Sequence, residues 1–153
     1  MDRRTMLGAL GTGTATSLLL SGGTTNALAA QHHDHHNEAM EECLKACGEC
    51  AKTCDEMFHH CFKMVEAGKK EHAGSAKTSL DCAAFCGMAA CMIARHGTMT
   101  DLACTACADA CKRCGDECSK IDSPEMKKCV EACRKCETAC RAMVSGRKEG
   151  ATR

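Results

Sequence analysis

After residue 36 the small and apolar positions recur every three or four residues, and no stretch alternates with the period of a strand. Between residues 104 and 118 the recurring residue is cysteine, at Cys104, Cys107, Cys111, Cys114 and Cys118. Steps of three and four trace one face of an α-helix. Cys129, Cys133, Cys136 and Cys140 repeat the pattern after Ser123-Pro124. Earlier, Cys43, Cys47, Cys50, Cys54 and Cys61 fall within about 60° on a helical wheel. Met40, Met57, Phe58, Met64 and Val65 share or border that face, and Glu41, Glu42, Lys45, Lys52, Asp55 and Lys63 lie opposite. Cys82 and Cys86 make a shorter row with Ala89 and Ile93. Cys91 lies about 180° from Cys82 and fits no row.

These faces predict four helices, over about residues 37–66, 75–95, 98–120 and 123–144. Gly68 and Gly97 are the expected stops of the first two, because glycine accepts the left-handed conformation that closes a helix. Thr98-Met99-Thr100-Asp101 resembles a capping box, and Ser123 with Pro124 forms a favoured helix start. Gly146 is the expected end of the fourth helix, with 147–153 a flexible tail. Short connections make successive helices antiparallel neighbours. The expected fold class is all-α, an antiparallel up-down four-helix bundle with a cysteine-lined core over residues 37–146.

Composition sharpens this picture. The chain has 153 residues, a one-domain length, and balanced charge, which offers nothing to nucleic acid or an anionic membrane. Its 17 cysteines are an odd number, so complete internal pairing is impossible. Large apolar residues are scarce, with no Trp and only three Phe, so Cys, Met and Ala must fill the interior. At the N-terminus, Asp2-Arg3-Arg4-Thr5-Met6-Leu7 resembles a twin-arginine signal, with Ala27-Leu28-Ala29 as a cleavage site. Residues 1–29 are then a removable signal and 30–36 a flexible His-rich start, and the expected location is the bacterial periplasm or another extracytoplasmic compartment. Folding before export would protect the thiols from mispairing in an oxidising space.

Cysteine could serve as plain packing or as disulfide. A bond between neighbours on one helix closes almost no loop and strains the helix. Soft-metal binding suits the pattern better. Sulfurs one turn apart can share a small ion, and a thiolate from a facing helix can complete a trigonal site. Cu(I) accepts two or three soft ligands, whereas zinc takes tetrahedral quartets. A continuous column does not divide into quartets, so multiple Cu(I) ions per chain are expected, with zinc or another soft metal as the alternative. The candidate ligands are Cys43, Cys47, Cys50, Cys54, Cys61, Cys82, Cys86, Cys91, Cys104, Cys107, Cys111, Cys114, Cys118, Cys129, Cys133, Cys136 and Cys140.

Asp81-Cys82-Ala83-Ala84-Phe85-Cys86, Arg95-His96-Gly97, the run Cys104-Thr105-Ala106-Cys107-Ala108-Asp109-Ala110-Cys111 and the fourth-helix cysteines resemble those of the four-helix-bundle copper storage proteins. With the N-terminal signal, the resemblance leans toward the exported type. It covers about residues 37–145, and it implies a homotetramer of bundles storing many Cu(I) ions. The function expected is copper storage, with a copper chaperone or detoxifying buffer as the alternative; no catalytic constellation is present, so no enzyme is expected. Antiparallel topology gathers His36, Met40, Met92, His96, Met99 and Met143 at one end. Thioether and imidazole there suit a mouth that passes copper inward. His59, His60 and His72 are expected at the surface. Expected partners are copper ions, further copies of the chain and a copper-receiving protein.

Overall fold

The computed structural model describes the backbone of residues 25–151 and the side chains of residues 38–146. Four helices follow in order: α1 (Thr25–Glu66), α2 (Ala73–Ala94), α3 (Thr100–Cys118) and α4 (Pro124–Ala151), with a short 3-10 turn (Lys70–His72) before α2. No strand occurs among the described residues. Each helix packs against two neighbours, α1 on α2 and α4, and α3 on α2 and α4. Thiol contacts across the interior give the directions. Cys43 and Cys47 meet Cys140, whereas Cys54, further along α1, meets Cys133, earlier on α4, so these helices run antiparallel. Cys82 meets Cys111 and Cys86 meets Cys107, so α2 and α3 are antiparallel too. The fold is the expected up-down bundle.

Local chemistry sets the helix ends. Gly68 closes α1 at φ 87°, with Gly68 N–H donating to the Val65 carbonyl and Lys69 N–H to that of Met64. The same double closure ends α2, but His96, not Gly97, takes the left-handed position at φ 51°. α3 starts at Thr100 behind Met99, which gives no side-chain cap, and the Thr100 hydroxyl donates to the carbonyls of Gly97 and Met92, tying the α2–α3 connection together. Ser123 does cap α4, its Oγ accepting from Met126 N–H at 3.2 Å. Gly115 allows α3 to approach α4, since a Cβ there would lie 3.2 Å from the Arg134 guanidinium carbon. On the surface, Lys135–Glu49 and Lys128–Glu56 join α4 to α1, and Arg134–Asp116 and Arg141–Asp109 join it to α3. Such exposed pairs contribute little each, because water and salt screen them.

Two boundaries differ from expectation. The α1 backbone is helical from Thr25, not Asn37, so it includes residues 30–36 and runs through Ala27-Leu28-Ala29. α4 continues through Gly146 to Ala151. A lone glycine costs a helix about 1 kcal/mol and need not end it. The signal-like residues 1–24 and the side chain of His36 lie outside the described residues.

Candidate metal centre

The inward faces bury every cysteine except Cys91, and every thiol is free. Their sulfurs form a continuous column. At the end where α1 enters the bundle core, Cys43, Cys104 and Cys140 converge. Next come Cys47, Cys107, Cys136 and Cys140, then Cys50, Cys86, Cys111 and Cys136. Cys50, Cys54, Cys82 and Cys133 follow, and Cys54, Cys114, Cys129 and Cys133 complete the series. Within each group all sulfurs lie within 4.8 Å of one another. Adjacent groups share members, so no group is an isolated site.

The spacing suits metal rather than disulfide. Representative Sγ–Sγ distances are 3.5 Å for Cys86–Cys111, 3.8 Å for Cys50–Cys111 and 3.7 Å for Cys47–Cys136. A disulfide needs about 2.05 Å. A three-coordinate ion with metal–sulfur bonds of about 2.3 Å holds its sulfurs about 4.0 Å apart. A four-coordinate ion would need a similar spacing, so charge decides between them. One monovalent ion per thiolate leaves the dry column neutral, whereas a divalent ion in each thiolate quartet leaves an excess of buried negative charge, which is costly.

The thiols also control one another's protons. Its sulfur contacts with Cys111 first and Cys133 next hold Cys50 below the ordinary thiol range. Cys107 is lowered likewise, by Cys111 first and Cys136 next. Cys54 is pushed up by Cys114 and Cys129, and Cys136 by Cys107 and Cys111. Whether one thiol ionises is therefore tied to the protons its neighbours keep, while burial disfavours the charge on all of them. Further ionisation needs a cation.

Three cysteines stand apart from the groups. Cys118 is buried and continues the column, 3.7 Å from Cys129 and 4.0 Å from Cys114. Cys61 is buried against Met57, with 3.6 Å between sulfurs. Cys91 is exposed on the outer side of α2, so its assignment to the column is corrected; the half-turn offset from Cys82 carries it away from the core.

At the Cys43 end, Met40 and Met143 are buried over the column, and Met92 is half-buried beside the α2–α3 connection. His96 is exposed, and Met99 is 57% exposed. This end runs from buried thiolates through buried thioethers to an exposed imidazole. The opposite end holds Met57 and Met126, both buried. It also holds a feature that sequence reasoning missed. His72 is buried, not at the surface, and its Nδ1 has no partner among the described residues. The signal was present: His72, Ser75, Ser79, Cys82 and Cys86 continue the three-four spacing along α2.

Comparison with known proteins agrees with this geometry. A family profile described as copper storage protein matches residues 33–145. Among solved structures, the Cu(I)-bound copper storage protein 3 of Bacillus subtilis is 31% identical, with 69% of this chain and 98% of that chain aligned at a TM-score of 0.65. A copper storage protein of Streptomyces lividans loaded with 10 copper equivalents is 32% identical over 71% of this chain and 86% of that chain, TM-score 0.66. A further structure from that organism, of a copper storage protein described as cytosolic and carrying five coppers, is 30% identical over 73% of this chain and 97% of that chain, TM-score 0.67. No curated protein matches by sequence. The cytosolic description overturns the expected periplasmic location and the lean toward an exported type. A reducing compartment of the kind named for that relative keeps free thiols reduced without export.

Proposed function

Because the chain belongs to the copper storage protein family, whose solved members include Cu(I)-loaded bundles, we propose that all its cysteines but the exposed Cys91 are the ligands of its Cu(I) cargo. The carrying observation is the run of overlapping thiol groups from Cys43 to Cys129. Each ion takes two or three thiolates and shares them with the next. Loading exchanges S–H protons for copper and cross-links all four helices. The chain acts as a store and not as a catalyst: its soft ligands are enclosed, and among the described residues no open coordination position lies beside an acid or base.

Copper enters at the Cys43 end. Met92, His96 and Met99 make first contact, and Met40 and Met143 pass the ion to Cys43, Cys104 and Cys140. Thioether and imidazole hold Cu(I) less tightly than thiolate, so affinity rises inward. The chain also assembles with copies of itself. Leu80, Phe85 and Met88 leave an exposed apolar stripe on α2, with Cys91 on the same helix. In an antiparallel pairing of two α2 helices about Met88, this stripe meets itself and Asp81 meets the partner's Arg95.

Anaerobic titration of the reduced chain with Cu(I) against a competing chelator tests this reading. On the order of ten or more ions should bind tightly. The combined replacements Met40→Leu and Met92→Leu should slow uptake several-fold at unchanged capacity. Saturation at one or two ions would overturn storage in favour of a chaperone. Sedimentation of the loaded chain as a monomer would remove the assembly.

A further inference from the structure

The mouth at the Cys43 end leaves the polar groups at the Gly68 end unexplained. There the inner stripe of α2 continues beyond Cys82 as Ser79, Ser75 and His72, all buried. Ser79 Oγ lies 3.7 Å from Cys114 Sγ and 4.0 Å from Cys118 Sγ, so the hydroxyl touches the thiol column. Ser75 Oγ and His72 Nδ1 are buried without a partner among the described residues. Buried polar groups in this condition are destabilising, and native cores rarely keep them without a use. Alanine or leucine would complete the helix face more cheaply.

His72 also has a neighbour of the same kind. Its ring lies 5.8 Å from the ring of half-buried His60, centroid to centroid. An ion bound to one nitrogen of each imidazole at about 2.0 Å would hold the centroids about 6 Å apart. His60 precedes Cys61 on α1, and Cys61 sits 3.6 Å from the thioether of Met57. The same end of the bundle carries a groove lined by Cys118, Ile121, Asp122 and Val130.

We propose that His60 and His72 bind one Cu(I) ion at the Gly68 end and form a second port to the thiol column, leading inward past Ser75 and Ser79 to Cys114 and Cys118. The port rests on the storage reading. It lets copper leave by a different end from the one it entered, so filling and withdrawal need not compete for one opening. Two neutral imidazoles bind Cu(I) more weakly than thiolates, so the port fills last and empties first.

The test uses the full reduced chain with Cu(I) as the probe. In nitrogen-15 spectra, the final ion added to an otherwise loaded chain should shift ring nitrogens of both His60 and His72. Ring nitrogens that stay unmoved to saturation would overturn the site. His60→Gln with His72→Gln should slow chelator-driven release at least fivefold and lower capacity by one ion. Shifted nitrogens with an unchanged release rate in this variant would overturn the port. If the variant does not fold, His60→Gln alone, on the half-buried partner, serves the rate measurement. A capacity of only one or two ions would overturn storage, and the nitrogen spectra would still decide the imidazole site.

Discussion

At the scale of single residues, cysteine here does two jobs that usually fall to different side chains. It packs as a small apolar group between helices, and it presents sulfur to its neighbours at 3.5 to 4.0 Å. Cys50 and Cys91 separate the two jobs. Cys50 belongs to two thiol groups, whereas Cys91 is exposed. Cys50→Ala should lower Cu(I) capacity by one or two ions and cost the apo chain about 1 kcal/mol through the small cavity. Cys91→Ala should leave both quantities unchanged. Competition titration and denaturant unfolding read the two effects, and full capacity in the Cys50 variant would argue against a shared column. The row to which Cys50 belongs was legible in the spacing alone, as was the exclusion of Cys91 from any row. The burial of His72 was signalled only by the three-four spacing it shares with Ser75, Ser79 and Cys82, a weak signal at a helix start that follows a glycine turn.

At the scale of elements, α1 and α2 end by the same pair of hydrogen bonds but with different residues at the left-handed position. Gly68 occupies it at no steric cost, and His96 occupies it against the preference of a residue with a Cβ. Gly68→Ala should therefore destabilise the apo chain by about 1 kcal/mol. His96→Gly should raise its stability by up to about 1 kcal/mol while slowing copper uptake. Thermal denaturation beside stopped-flow uptake checks both, and a faster uptake in the His96 variant would remove that side chain from the mouth. The strain at His96 fits a position kept for its imidazole, since Gly97 alongside would have closed the helix more easily. Gly68 and Ser123 were readable as helix signals because each acts through its own backbone or the next turn. The role of Thr100 depends on two carbonyls across the α2–α3 connection.

At the scale of the whole molecule, stability is tied to protons and metal. Burial, with Cys129 and Cys114 nearby, pushes the Cys61 thiol up from 9.0 to about 11. The folded chain keeps this proton at a pH where the unfolded chain loses it. That contribution is complete below pH 9 and is lost as pH rises through about 11. The apo melting temperature, measured anaerobically, should fall over this alkaline window. Copper reverses the dependence. Each thiolate ligated releases a proton, so apparent affinity weakens about tenfold per proton released for each unit the pH falls. The loaded chain should resist heat and alkali far better than the apo chain, because an ion that binds only the folded state stabilises it. Equal melting curves for the two forms would contradict the column.

The sequence by itself determined the helix count, the bundle class and the inward rows of cysteine, because helical periodicity and the choice of small residues are local properties of the chain. It also carried the family resemblance, which lies in ordered motifs and not in any one pair. It misjudged the start of α1, the end of α4, the fate of His72 and the compartment. Only the tertiary structure decided which thiols from different helices converge, which of them hold protons for one another, and which polar groups are left buried without partners. Those facts depend on the rotation and height of each helix against its neighbours, and packing of the four faces together settles them all at once.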